Sequence, residues 1–218
     1  MKLPSTLFVD PRLPAGVVEV IPQKNLDVLQ MRLNWLEQDL FGPKEHEAYL
    51  RAIMCHHSQR QLNLIVMMTG IPGIGKTALA NVCNSWLGKH GVLLLTRNNF
   101  IHWDRRKTFE LVHKLNVPII TVSPEELVRG DTSKDFLVNI AKNSVCTRCN
   151  HPTTGDSSQK EREKIVDRFA KRYTPPSAEE CVHTYTIPFL NPAGERLALN
   201  VIAEALQSVI TEALGSVV

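Results

Sequence analysis

Short unbroken apolar runs alternate with helix-like periodic segments along most of this chain. "LNLIVMMTG", "GVLLLTRNN", "VPIITVS" and "VHTYTIPFL" are the four runs. The first three lack polar alternation, which suits strands buried on both faces. Between and after them come "KTALANVCNSWLGK", "WDRRKTFELVHKLN", "SKDFLVNIAKNSVCTR", "QKEREKIVDRFAKRY" and "AGERLALNVIAEALQSVITEAL", each predicted as a helix. "SPEELVRG" opens like a further capped helix, with Ser123 as N-cap, Pro124 at the first position and Glu126 at the third. Strands alternating with helices predict an α/β protein with a mainly parallel sheet. Residues 1–62 differ: an extended, proline-bearing arm over 1–24, then helical patterns over 25–60. That contrast predicts an N-terminal arm with helices, followed by one α/β domain over 63–218.

Composition narrows the class only slightly. The chain has 218 residues, 43% hydrophobic and 22% charged, with a net charge of +3. This is ordinary for a soluble domain, and the charge is too small to argue for nucleic acid by itself. "LIVMM" and "VLLL" are too short to span a bilayer, so no membrane partner is expected. The N-terminus lacks a continuous apolar core, so a cytoplasmic or nuclear protein is expected. Five cysteines argue against a disulfide framework. Cys146, Cys149, His151, Cys181 and His183 include enough donors for zinc, but the single CxxC has no second pair to complete it.

The segment from 63 to 82, "NLIVMMTGIPGIGKTALANV", carries the chemistry. Gly70, Gly75, Lys76 and Thr77 fit G-x-x-x-x-G-K-[ST], between a predicted strand and a predicted helix. Glycine lets backbone N–H groups turn inward and approach phosphate oxygens closely. The helix start adds unpaired donors and partial positive charge. Gly70, Ile71, Pro72, Gly73, Ile74, Gly75, Lys76, Thr77 and Ala78 are therefore the candidate cradle for ATP or GTP. Lys76 supplies a point charge for the β/γ-phosphates, and Thr77 a hydroxyl for Mg²⁺. A three-layer P-loop NTPase-like fold with a helical lid is the expected architecture.

No NKxD base-reading motif and no strand ending in paired acids is present, so a GTPase or a motor ATPase is disfavoured. "LTRNNFIHWDRRKTFELVHKL" resembles the strand-to-helix segment of the polynucleotide kinase domain in fungal-type tRNA ligases. There an Asp-Arg-Asn-Asn-His run precedes an arginine-bearing helix. "CTRCNHPTTGDSSQKEREKIVDRFAKRY" is similar to that family's lid, expected here around 146–173. The resemblance covers residues 63–180. It implies transfer of a γ-phosphate, often from GTP, to the 5′-hydroxyl of an RNA end made in tRNA splicing.

On that resemblance Arg97, Asn98 and Asn99 join the nucleotide site, and Arg148 spreads charge over the transferring phosphoryl group. Arg105 and Arg106 are read as a solvated helix face, and the charges of 160–168 as mostly paired within their own helix. The chain departs from the family at the general base. Thr96 or Asn98 stands where the kinase aspartate is expected, and neither side chain accepts a proton at neutral pH. Asp104 is the nearest carboxylate and the candidate base. Phe100 stands for the family's histidine, and Cys149 for its Gly-Asp pair. Two further readings stay open: a P-loop protein that binds nucleotide but transfers slowly, and a kinase of a small molecule.

Overall fold

The computed structural model describes residues 7–9, 20–22, 62–96, 99–112, 116–147, 158–180 and 183–216. In chain order these form β1 (Leu7–Val9), β2 (Val20–Pro22), β3 (Leu64–Met68), α1 (Lys76–Lys89), β4 (Val92–Leu95), α2 (His102–Val112), β5 (Ile119–Pro124), α3 (Glu125–Arg129), α4 (Thr132–Thr147), α5 (Gln159–Arg172), β6 (Thr184–Ile187) and α6 (Leu199–Ser216). The helices expected over 25–60 lie outside the described residues. Within the arm, β1 and β2 form an antiparallel pair, Phe8 opposite Ile21.

The main sheet has four strands in the order β4-β3-β5-β6, all parallel. Strands β3 and β4 are buried at every position, as their unbroken apolar sequence requires. The step from β3 through α1 to β4 runs one way across the sheet. The step from β4 through α2 to β5 returns over β3. Right-handed crossovers therefore set α1 and α2 on opposite faces. Helix α6 packs on α1, and α4 packs on α5. The result is a three-layer α/β architecture, with the β3–α1 loop at the carboxyl edge where the chain reverses direction.

Helical periodicity accounts for the layers. On α1 the buried positions are Lys76, Leu79, Ala80, Cys83 and Leu87, one stripe facing the sheet. On α6 they are Ile202, Ala203, Leu206, Ile210 and Ala213. On α5 the stripe is Arg162, Val166, Phe169 and Ala170, and Phe169 meets Phe100 with ring centroids 4.4 Å apart. A buried aromatic at such a position is worth about 3–5 kcal/mol against alanine.

The pattern Ser-x-x-Glu occurs at both 123–126 and 158–161, and only the second is a capping box. Ser158 N–H donates to Glu161 Oε2 at 2.8 Å, and the Glu161 N–H donates back to Ser158 Oγ at 3.3 Å. The expectation for Ser123 is corrected: it lies within a central strand that runs to Pro124, fully buried, and α3 starts at Glu125. Its hydroxyl pairs with Thr69 Oγ1 at 2.8 Å instead. Within α5 the Ser158 bonds, and then the charge of Lys164, hold the Glu161 carboxyl below its ordinary value, in line with the expected internal pairing, and two further charged residues reach α4. Asp167 bonds Lys142 on α4 at 2.7 Å, and buried Arg162 donates to the Cys146 carbonyl at 3.3 Å. The charges of α5 thus fasten the α4–α5 hairpin.

Candidate functional site

The loop after β3 takes the backbone geometry that its glycines permit. Gly70, Gly73 and Gly75 all have positive φ, at 134°, 86° and 95°. All three are also closed in by neighbours, Gly70 by the end of the Ile74 side chain. A Cβ at Gly73 would run into the Ala141 carbonyl and Val145 of α4. A Cβ at Gly75 would run into the Arg196 guanidinium. Gly73 therefore excludes a side chain on conformation and on space, whereas at Gly75 the positive φ strains any side chain and the guanidinium would have to move aside.

Gly75 is the N-cap of α1, and the first turn carries no acidic residue. The amides there keep the donor character and partial positive charge that favour an anion. Lys76 is buried, and its Nζ donates to the Ile71 carbonyl at 2.8 Å, so the ammonium lies folded across the loop. Thr77, by contrast, is exposed. Amides, ammonium and an accessible hydroxyl make a donor set suited to a triphosphate and its divalent cation.

Two walls flank this loop. On one side, Arg196 from the β6–α6 segment donates Nη2 to the Ile74 carbonyl at 2.7 Å. That segment is held by Glu126, whose Oε1 accepts the N–H groups of Phe189 and Leu190 at 2.8 and 2.7 Å. The other oxygen, Oε2, is buried without a hydrogen-bond partner among the described residues. On the other side, Asn99 takes a positive φ of 42° and donates its amide to the Met68 carbonyl at 3.1 Å. Asn99 is buried and ties the end of β4 to the strand that feeds the loop. Tyr173, capping α5, places its hydroxyl 2.9 Å from Thr69 Oγ1. Burial pushes this phenol above its ordinary value, and the hydroxyls of Thr69 and Ser123 pull against that rise.

Arg105 overturns the solvated-face expectation. It is fully buried. Its Nε and Nη2 grip Glu180 at 2.7 and 2.9 Å, and Nη1 donates to the carbonyls of Thr174 at 2.8 Å and Asn99 at 3.2 Å. The guanidinium therefore organises the corner where β4, α2 and the 174–180 segment meet. Burial tends to raise the Glu180 carboxyl, but the bonds and charges of Arg105 and His102 outweigh it and hold the carboxyl below its usual range. Arg106, one residue on, is exposed and pairs with Glu110 at 3.0 Å, as the helix-face reading expects.

Among the sequence-derived candidates, Gly70 to Ala78 are brought together as one loop and helix start. Asp104 is buried in the first turn of α2. Arg97, Asn98 and Arg148 lie outside the described residues, as do Cys149, His151 and Cys181. Among the described residues, no group of three His, Cys, Asp or Glu is positioned to hold a metal, and no helix is long and apolar enough to cross a membrane. Sequence reasoning missed Arg196, Tyr173 and the clamp by Glu126, all of which act across more than sixty positions of chain.

No family model matches the chain, and no curated protein matches it. A solved structure, a fungal RNA kinase, is similar at a TM-score of 0.46 and 16% identity over 69% of this chain. The chain covers 50% of that kinase's length.

Proposed function

We propose that this protein is a nucleotide-dependent polynucleotide kinase, transferring the γ-phosphate of ATP or GTP to the 5′-hydroxyl of an RNA end. The carrying observation is the loop of 70–77: three positive-φ glycines, a buried lysine and an exposed threonine at the start of α1. The similarity of 95–115 and 146–173 to tRNA-ligase kinase segments supplies the acceptor.

The roles follow from the charge that phosphoryl transfer develops. Backbone amides at the head of α1 hold the phosphate chain still and in line. Lys76 leaves the Ile71 carbonyl for the phosphate oxygens, and its charge counts most where charge builds up in transfer. Thr77 would hold Mg²⁺ through its hydroxyl, and the ion would supply positive charge to the phosphate chain. Arg148 is the candidate second cation, with Arg97, Asn98 and Asn99 at the nucleotide. Asp104 is the candidate acceptor of the RNA hydroxyl's proton.

A second reading has an observation behind it. Thr69 and Thr96 follow β3 and β4, and Ser123 is the penultimate residue of β5, where a carboxylate would best face the loop. A site with hydroxyls there favours a nucleotide-binding protein of weak transfer activity. Incubation with γ-labelled ATP and GTP and a 5′-hydroxyl RNA separates the two. The kinase reading expects labelled RNA, reduced at least about a hundredfold in Lys76→Ala, roughly 3 kcal/mol of transition-state stabilisation. Tight nucleotide binding with no labelled RNA selects the second reading.

A further inference from the structure

The corner built around Arg105 presents an exposed aromatic beside cations, a short distance in the chain from the phosphate loop. Trp103, in the first turn of α2, is 45% exposed. The His102 side chain is 58% exposed and that of Arg106 68%. Arg172, at the end of α5, sets its guanidinium 5.6 Å from the centroid of the Phe100 ring, so α5 delivers a further cation to the same corner.

Hydrogen bonds join this corner to the strand that feeds the loop. The Thr174 N–H donates to the Phe100 carbonyl at 2.9 Å, and the His102 N–H donates to Thr174 Oγ1 at 3.1 Å. Asn99 bonds the Met68 carbonyl, and Met68 lies two residues before Gly70. Glu180 has a side chain only 4% exposed and is engaged by Arg105 and His102, and Asp104, next to Trp103 in α2, is buried, so neither opposes much charge at the surface. Glu110 is more exposed, but it sits a turn beyond Arg106 and pairs with it.

Nearly half of the Trp103 surface stays in solvent, on the same helix as exposed Arg106 three positions on. This arrangement matches what a single-stranded nucleic acid requires: a flat π-face for a base and cations for the flanking phosphates. We propose that Trp103, with His102, Arg106 and Arg172, forms the surface on which the 5′-terminal nucleotides of a single-stranded RNA rest, the terminal base stacked on the indole. This rests on the kinase reading for the choice of RNA, and adds where the strand lies and which side chain selects an unpaired end.

The test is binding without nucleotide. A ten-nucleotide RNA, 5′-hydroxyl and fluorescein-labelled at its 3′ end, is titrated by anisotropy with the full chain. Trp103→Ala is expected to weaken binding at least about tenfold, within the range for one lost base stack. Trp103→Phe is expected to keep affinity within about threefold of wild type, because a π-face remains. Arg106→Ala is expected to reduce the log–log salt slope by about one. Val201→Ser, at an exposed apolar position on α6, is expected to change nothing.

Equal binding by wild type and Trp103→Ala, or no RNA binding by the wild type, overturns the surface. A blunt duplex bound as tightly as the single strand also overturns it. Phosphate transfer to RNA with an unchanged RNA KM in Trp103→Ala refutes the surface while the kinase reading stands. Trp103-dependent binding with no phosphate transfer supports the surface and refutes the kinase reading.

Discussion

Arg196 reaches across 122 positions of sequence to donate its Nη2 to the carbonyl of Ile74 at 2.7 Å. The guanidinium occupies the space that a Cβ on Gly75 would need. The two positions are therefore coupled: the arginine supports the loop from outside, and the glycine leaves room for it. Gly75→Ala is expected to weaken nucleotide binding at least about tenfold, from the clash and from the positive φ together. Removing the charged hydrogen bond in Arg196→Ala is expected to lower stability by about 1.5–3 kcal/mol. The double variant Gly75→Ala/Arg196→Ala is expected to recover part of the binding lost in Gly75→Ala, because only the backbone strain remains. Strictly additive losses in a calorimetric double-mutant cycle would contradict the coupling.

The buried pair of Arg105 and Glu180 leads to a pH prediction. Glu180 is held below its ordinary value of 4.5, so its ionised form is the one the fold favours. Its contribution is complete above about that value and is lost as the pH falls through the lowered folded value. Acid unfolding followed by circular dichroism should therefore begin below about pH 4.5 and be shallower in Glu180→Gln. At neutral pH, Arg105→Ala leaves a buried carboxylate without its cation and is expected to cost about 3–5 kcal/mol in denaturant unfolding. A loss under 1 kcal/mol would mean the pair is no more than a surface contact.

Much of this arrangement is legible in the chain itself, because its signals are local. "LIVMM" and "VLLL" become buried strands since an unbroken apolar run has only a two-faced sheet to enter. Gly70, Gly75, Lys76 and Thr77 define the loop by spacing alone. What stays hidden is decided by tertiary partners. Arg105 and Arg106 are indistinguishable in "WDRRK", yet one helical step turns the first into the core and the second into solvent. Ser123 and Ser158 both open Ser-x-x-Glu, but Ser123 is claimed by the strand ladder. Arg196 lies in "NPAGERL", a turn segment with no pattern that points to a loop 122 positions earlier.

Tyr173 joins the C-terminus of α5 to the threonine that precedes the loop. Tyr173→Phe removes a hydroxyl 2.9 Å from Thr69 Oγ1 and is expected to cost about 1 kcal/mol. Burial raises the phenol above its ordinary value of 10.0, so the folded state favours the neutral form. That contribution is complete below about pH 10 and is lost as the pH rises through the higher folded value. Spectrophotometric titration of the folded protein should show a tyrosine that resists ionisation until the protein opens, and this component should vanish in Tyr173→Phe. A normal titration of all three tyrosines in the folded chain would place Tyr173 in solvent instead.

The account stands most directly on whether the bend from Gly70 to Thr77 grips a triphosphate. Isothermal titration of the full chain with ATP and with GTP, each with Mg²⁺, measures that grip without reference to any acceptor. The expected result is one site per chain for at least one of the two nucleotides, weakened about a hundredfold or more in Lys76→Ala with the fold intact. Heat of binding absent for both nucleotides, or equal for wild type and Lys76→Ala, would contradict the assignment of this loop as a phosphate cradle.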